Sequence, residues 1–264
     1  MGSTEMEQIL AYIQDHIEDP LPLARLAEQA SYSPYHFTRL FKDKMGISPM
    51  YYVSALRLQK AKELLLNSSL SIRDIGMEIG QQSLGTFTTR FTQKVGMTPA
   101  QFRNTAESAG QYLSLLQELK DWRTSDLLAP QHATVRGAVT SEFAFEGVVL
   151  IGLFPKPIPE GLPLYGTLLG ALGEFVIPNV KPGIYYVMAT TISWGTEAKR
   201  MLLPQTTLRS RSKTAIVVGA GEELPALDVS LHPPSLIDPP ILISLPVLMN
   251  RFLGRVMPEA SRGP

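Results

Sequence analysis

The 264-residue chain has no cysteine, which excludes disulfides, thiolate metal sites and thiol nucleophiles. It has four histidines, His16, His36, His132 and His232, and none stands at a metal-ligand spacing from another. It has no surplus of either charge. The 24 basic and 24 acidic side chains cancel, which excludes a broadly polycationic coat but leaves room for a locally basic face. It also lacks any run of about 20 uninterrupted apolar residues, so no membrane span is expected. The opening MGSTEMEQILAYIQ lacks the basic and apolar regions of a secretory signal, and the expected setting is soluble and cytoplasmic. No G-x-S-x-G, P-loop or G-x-G-x-x-G motif occurs, so neither an enzyme nor a cofactor or metal is expected. Asp74 and Glu78, spaced i, i+4, read as a solvated helix face rather than an acid–base pair.

Proline is scarce at first and abundant later. Six prolines precede residue 150 and 15 of the 21 follow it. The first part is written in helical periods, the second in short apolar runs broken by Pro and Gly, as strands and loops are. Ile9, Tyr12, Ile13 and Ile17 recur at helical spacing, and Pro20 and Pro22 stop that helix. A short helix is expected over 23–30. Ser33-Pro34 and Ser48-Pro49 are N-caps followed by a first-turn proline. The first opens a helix with Phe37, Leu40, Phe41 and Met45 on its apolar side, ended by Gly46. The second opens a long helix to about Asn67, with Val53, Leu56, Ala61, Leu64 and Leu65 facing inward. The pattern then restarts. Ser71 caps a short helix through Ile72, Ile75 and Ile79, Ser83 caps another with Phe87, Phe91 and Val95 buried, Gly96 ends it, and Thr98-Pro99 opens the last.

The restart is a repeat. Phe37 matches Phe87, Phe41 matches Phe91, Lys44 matches Lys94, Gly46 matches Gly96 and Pro49 matches Pro99, all at an offset of 50. A repeated short helix, turn and helix is a pair of helix-turn-helix units, the second helix of each shaped for a major groove. A single copy would equally suit a plain packed bundle. The runs LARLAEQASYSPYHFTRLFKDKMGISPMYYV and SIRDIGMEIGQQSLGTFTTRFTQKVGMTPAQFR, the latter closing on Gly96 to Arg103, resemble the AraC/XylS family of bacterial transcription regulators.

That resemblance implies an all-α double helix-turn-helix domain over 4–106, binding double-stranded DNA and working with RNA polymerase. It implies DNA contacts from Tyr35, His36, Thr38, Arg39 and Lys42 in the first reading helix. In the second they come from Leu84, Gly85, Thr86, Thr88, Thr89 and Arg90. The family usually has an arginine where Thr89 stands, so Arg90 is displaced by one, and the first helix is the stronger specificity determinant. Arg39 has the fork to bond a guanine bidentately. Over 39–62, Arg39, Lys42, Lys44, Arg57, Lys60 and Lys62 face Asp43 alone, a local net charge of +5, although Lys60 and Lys62 read as solvated rather than phosphate-bound. The long helix, 18 residues from Pro49 to Leu66, is about 27 Å long at about 1.5 Å per residue. Successive grooves lie roughly 34 Å apart. Either the DNA bends or only one helix inserts fully.

A linker helix is expected within 107–129, where Tyr112, Leu115, Leu116, Leu119 and Trp122 form one stripe. It packs either on its own domain or against a second copy. From 130 to 255 a mainly-β antiparallel sandwich is expected, with strands at 133–139, 147–153, 173–177, 184–191, 214–218 and 226–231, and a short helix within 239–252 covering a sheet edge. The stretch GEFVIPNVKPGIYYVMA, 173–189, resembles one hairpin of a transthyretin-like or carboxypeptidase-regulatory-like sandwich. Phe154, Tyr165, Tyr186, Met188, Trp194 and Met201 are the candidates for a pocket taking a small apolar or aromatic effector; each would serve equally as ordinary core. Two functions fit: a regulator whose β-domain senses a small molecule, or a DNA-bound assembly protein whose β-domain takes a protein partner. A homodimer through 111–122 or the β-domain suits either.

Overall fold

The computed structural model describes residues 1–81, 83–122, 132–220 and 224–257. They form two compact units. One contains 1–103 together with two later segments, Lys156–Gly161 and Ser235–Ile243; the other contains the rest. The division thus departs from a contiguous β-domain over 130–255, and the part of the expected linker over 123–129 lies outside the described residues.

The first unit runs α1 (Ser3–Asp15), α2 (Leu23–Gln29), α3 (Pro34–Met45), α4 (Pro49–Asn67), α5 (Ile72–Glu78), α6 (Leu84–Val95) and α7 (Pro99–Asn104). The starts follow from local chemistry. Ser33, Ser48, Ser71 and Ser83 each accept a hydrogen bond from the backbone N–H three residues on, satisfying one of the donors a helix start leaves unpaired. Gly46 and Gly96 end α3 and α6 in the left-handed region, at φ of 76° and 90°, where a side chain would clash with its own backbone. The repeat is visible in the core. Phe41 meets Tyr52 at 5.8 Å between ring centroids and Phe91 meets Phe102 at 5.6 Å, the same pair 50 residues on. α1 stops at Asp15, so Ile17 falls in a turn rather than on the helix. The buried face of α4 is Tyr52, Val53, Ala55, Leu58, Ala61, Lys62 and Leu65. Leu56 and Leu64 are only half-buried.

The second unit carries α8 (Ala106–Glu118), β1 (Ala133–Ser141), β2 (Gly147–Phe154), β3 (Tyr165–Leu169), β4 (Gly173–Val180), β5 (Gly183–Ser193), α9 (Ala198–Leu202), β6 (Arg209–Arg211), β7 (Ile216–Val218), β8 (Leu227–Leu231) and α10 (Leu245–Val256). One sheet has the order β4-β1-β8. The other has β3-β2-β5-β6, with β7 also pairing β5. Inward residues of both sheets, among them Val135, Phe175, Val149, Val187 and Val229, share one buried cluster. β1 and β8 run parallel, so the expectation of wholly antiparallel sheets fails at that pair. The 173–189 stretch is not a hairpin either. β4 pairs β1 while β5 pairs β2, so the chain crosses from one sheet to the other at 181–182, and Phe175, Ile177, Val180, Tyr185 and Val187 meet in the core instead of across a ladder. The left-handed residue near this corner is Asn179, at φ 58°.

β2 is buried along its whole length, on both faces. α8 packs with α9 and α10, so it is part of this unit. Its buried side is Ala109, Leu113 and Leu116, while Leu115, placed on the expected stripe, is exposed. The Trp122 and Phe252 rings stand 5.7 Å apart. α10 starts at Leu245, inside the expected 239–252, and runs on to Val256, and Arg255 reaches the carbonyl of Gly166 on the edge strand β3. Gly137 in β1 is needed for close approach: a Cβ there would lie 2.2 Å from the Leu227 oxygen and 2.8 Å from the Phe175 ring. Gly137→Ala is expected to cost about 3 kcal/mol, because backbone cannot yield as a side chain does. Both tryptophans, Trp122 and Trp194, lie in the second unit. A tryptophan-fluorescence urea melt should therefore register the loss as a lower midpoint.

Candidate nucleic-acid interface

α3 and α6 are the second helices of the two repeats, and each buries one face completely. Phe37, Phe41 and Met45 are inside on α3, and Phe87, Phe91 and Val95 on α6. The opposite faces carry the expected contacts. On α3, Tyr35 is 81% exposed and His36, Arg39 and Lys42 are exposed as well; Thr38 is half-buried and donates to the Pro34 carbonyl at 2.8 Å. On α6, Leu84, Gly85, Thr86 and Thr89 are exposed and Thr88 is half-buried. Arg90, also half-buried, donates to Gln81 Oε1 at 3.2 Å. The structure therefore brings each set onto one helix face. It leaves α6 the poorer in charge, since its one arginine is engaged with the preceding turn.

The basic cluster is smaller than its sequence suggests. Arg57 donates to the carbonyls of Ile17 and Asp19, at 3.3 and 2.8 Å. Lys60 pairs with Glu18 at 2.8 Å. Lys62 is not solvated at all: it is fully buried, donates to the Ile241 carbonyl at 2.9 Å and stands 5.6 Å from the centre of the Phe102 ring. Burial pushes its ammonium down to about 7, against the opposing pull of the Glu63 charge. Of the six cations over 39–62, only Arg39, Lys42 and Lys44, all on α3, are exposed. Arg103 is likewise structural, bonding the carbonyls of Leu65 and Leu70 at 3.2 and 2.6 Å.

Sequence reasoning missed a charged cluster at the other end of these helices. Tyr51 Oη donates to Glu160 Oε1, and Lys94 Nζ donates to both of them. Lys156 adds a donor to Tyr51 at 3.1 Å. Burial, then the hydrogen bond and charge of Glu160, raise the Tyr51 phenol above its ordinary value, so it stays protonated as a donor. No local pattern marks this cluster, because Glu160 lies 66 residues from Lys94. Lys62 did have a signal: it occupies the i, i+3, i+4 stripe of Ala55, Leu58 and Leu65, where an apolar residue belongs.

The six effector candidates are not gathered in one place. On β3, Tyr165 faces the cluster shared by the two sheets, its ring 5.8 Å from that of Tyr185. Phe154, Tyr186 and Met188 occupy the alternate positions of β2 and β5, on the far side of that sheet. Met201 is buried in α9 and Trp194 is half-buried just past β5. A cleft in the first unit, lined by residues including Arg73, Met77, Gln81 and Leu84, involves none of them. Among the described residues no helix is long and apolar enough to cross a membrane, and no cluster of three or more His, Cys, Asp or Glu is placed to hold a metal ion.

The family model described as a helix-turn-helix domain matches residues 26–105. Over 99 residues the chain is 36% identical to the uncharacterized HTH-type transcriptional regulator YobQ of Bacillus subtilis, covering 38% of this chain and 41% of that protein. It is 34% identical over 107 residues to the bifunctional transcriptional activator/DNA repair enzyme AdaA of the same organism, covering 40% and 51%. It is 33% identical over 102 residues to the right origin-binding protein of Escherichia coli, covering 39% and 35%. The chain thus spans about half or less of the length of these curated relatives. Among solved structures, an AraC-type transcriptional regulator from Chromobacterium violaceum matches with a TM-score of 0.37 and 29% identity, over 39% of this chain and 91% of that one. The repeated caps, the two amphipathic helices and the curated relatives fall on the same stretch: residues 26–105 match the helix-turn-helix domain model and are similar to HTH-type transcriptional regulators.

Proposed function

We propose that this protein is a sequence-specific DNA-binding transcription regulator. α3 and α6 enter successive major-groove segments, with Tyr35, His36, Thr38, Arg39 and Lys42 as the main readers. Leu84, Gly85, Thr86, Thr88, Thr89 and Arg90 form the weaker second set. The observation that carries this reading is the duplication itself: two capped helices, 50 residues apart, each with a buried aromatic face and an exposed polar one. A merely structural bundle has no need of an exposed Arg39, Lys42 and Lys44 on one helix surface. Positive charge there supplies phosphate attraction, and the fork of Arg39 supplies base discrimination. Double-stranded DNA is the partner, and RNA polymerase follows from the regulator reading. α4 spans 19 residues, or about 28 Å, so a duplex engaged by both helices bends toward the protein.

The second unit is the sensing or assembly part. Two sheets around one cluster, closed by helices, are compatible with the sandwich expected from sequence. The reading favoured for it is recognition of a small apolar or aromatic effector by side chains such as Tyr186, Met188 and Trp194. The alternative is a protein partner, and a homodimer accommodates both. Selection of bound duplexes from a random pool tests the DNA reading. A two-part motif of roughly one helical turn between centres is expected, and recovery of no sequence preference would sink it. A thermal-shift screen separates the two readings of the second unit, since only ligand binding raises its melting point with compound concentration.

A further inference from the structure

The first unit is completed by a loop that sequence places between β2 and β3. Its two ends meet the two repeats at equivalent corners. Pro157 lies against the C-terminal end of α3, where a Cβ on Gly46 would stand 2.5 Å from the proline Cγ. Gly161 donates its backbone N–H to the Lys94 carbonyl at 2.6 Å, in the last turn of α6. Lys94 is the repeat partner of Lys44, two residues before Gly96 as Lys44 is before Gly46. Between the ends, Glu160 binds Lys94 of α6 and Tyr51 of α4. Its side chain is 9% exposed, so the ion pair is shielded from solvent. The loop is stiff and backed. Pro157 and Pro159 fix their own φ, Ile158 is fully buried, and the amides of Leu242 and Ile243 both donate to the Pro159 carbonyl, at 2.9 and 3.1 Å.

We infer that residues 157–161 are a positioning element for the reading helices, with Glu160 its central side chain. A five-residue segment spans at most about 14 Å between its end Cα atoms, so a loop held at both ends limits how far the C-terminal ends of α3 and α6 can separate. Glu160 adds direction: it draws the end of α6 onto the start of α4, the helix that spaces the two repeats. The distance between the two reading helices, and with it the spacing of DNA half-sites the protein accepts, is thereby set by residues outside the repeat. This rests on the DNA-binding reading above, but the mechanical part does not.

Two measurements on the full chain test it. Amide hydrogen exchange without DNA reads the clamp itself. Glu160→Gln is expected to speed exchange in the last turn of α6, at Val95 and Gly96, by about tenfold while the α1 and α3 amides keep their rates. Lys94→Gln should do the same, and the double variant should add little, because each single change removes the same link. Uniform acceleration through the unit, or full additivity, would make Glu160 an ordinary stabilising residue and overturn the proposal. The second measurement uses duplexes from the random-pool selection with one base pair added or removed between half-sites. The parent should discriminate against both, and Glu160→Gln should lose most of that penalty while binding the original spacing. Unchanged spacing selectivity would overturn the specificity role. Were the parent to bind no duplex selectively, the DNA reading would fail while the exchange result still decided the clamp.

Discussion

Arg39→Ala is expected to weaken binding to a selected duplex about tenfold to a hundredfold and to relax preference at one base pair. A bidentate arginine–guanine contact is worth about 1–3 kcal/mol of discrimination. Arg39 is exposed on the polar side of α3, its backbone held by a helix whose opposite face is fully buried, so the substitution should leave melting behaviour unchanged. Lys44→Ala provides the contrast. A phosphate contact is lost equally on every sequence, and the slope of log affinity against log salt falls by about 1. Electrophoretic mobility shifts on matched and mismatched duplexes at several salt concentrations separate the two. If Arg39→Ala bound all of them as tightly and as selectively as the parent, α3 would not be a reading helix.

The second large effect concerns Lys62 and pH. Its pKa is about 7 in the fold because burial disfavours the charge, against an ordinary value of 10.5. Between these limits the unfolded chain carries a proton that the folded one lacks. Stability therefore rises with pH across the window, and the cost of the buried charge is fully present only below about 7. The first unit should gain on the order of 2 kcal/mol between pH 7 and pH 9 from this group alone. Lys62→Met keeps the bulk and removes the titration. Urea melts followed by helical circular dichroism should show the parent gaining stability over that range relative to Lys62→Met, with the variant the more stable of the two below pH 7. Parallel curves would mean that the amine is solvated.

Which parts could be read in advance follows from the range of the forces. A serine that accepts a hydrogen bond three residues on, a proline in a first turn and a left-handed glycine are all settled within one helical turn. Ser33, Ser48, Ser71 and Ser83 therefore announced α3 to α6. The aromatic repeat then fixed which faces were inner, and so which residues were left exposed. The strands of the second unit could be located from their apolar runs, except the three-residue β6 and the short β3, which contains Gly166 and is followed by Gly170. Their partners could not, because pairing is long-range: nothing local states that β4 joins β1 while β5 joins β2, or that β8 runs parallel to β1. The same limit hid the two charged features of the first unit. The acceptor of Lys62 is 179 residues away and the acceptor of Lys94 is 66 away. A count of positive charge along the chain accordingly overstated the basic face.

The strap over 235–243 that closes on Lys62 also sets an order of events at the ribosome. Helices α1 to α7 are synthesised while this acceptor, the Ile241 carbonyl, is still 138 residues from being made, counting from Arg103. At about 5–20 residues per second, about 7 to 28 seconds of translation separate the two. During that interval Lys62 is hydrated and charged, and the nascent helices form an unfinished head. A gene truncated after the repeats would express that unfinished head permanently.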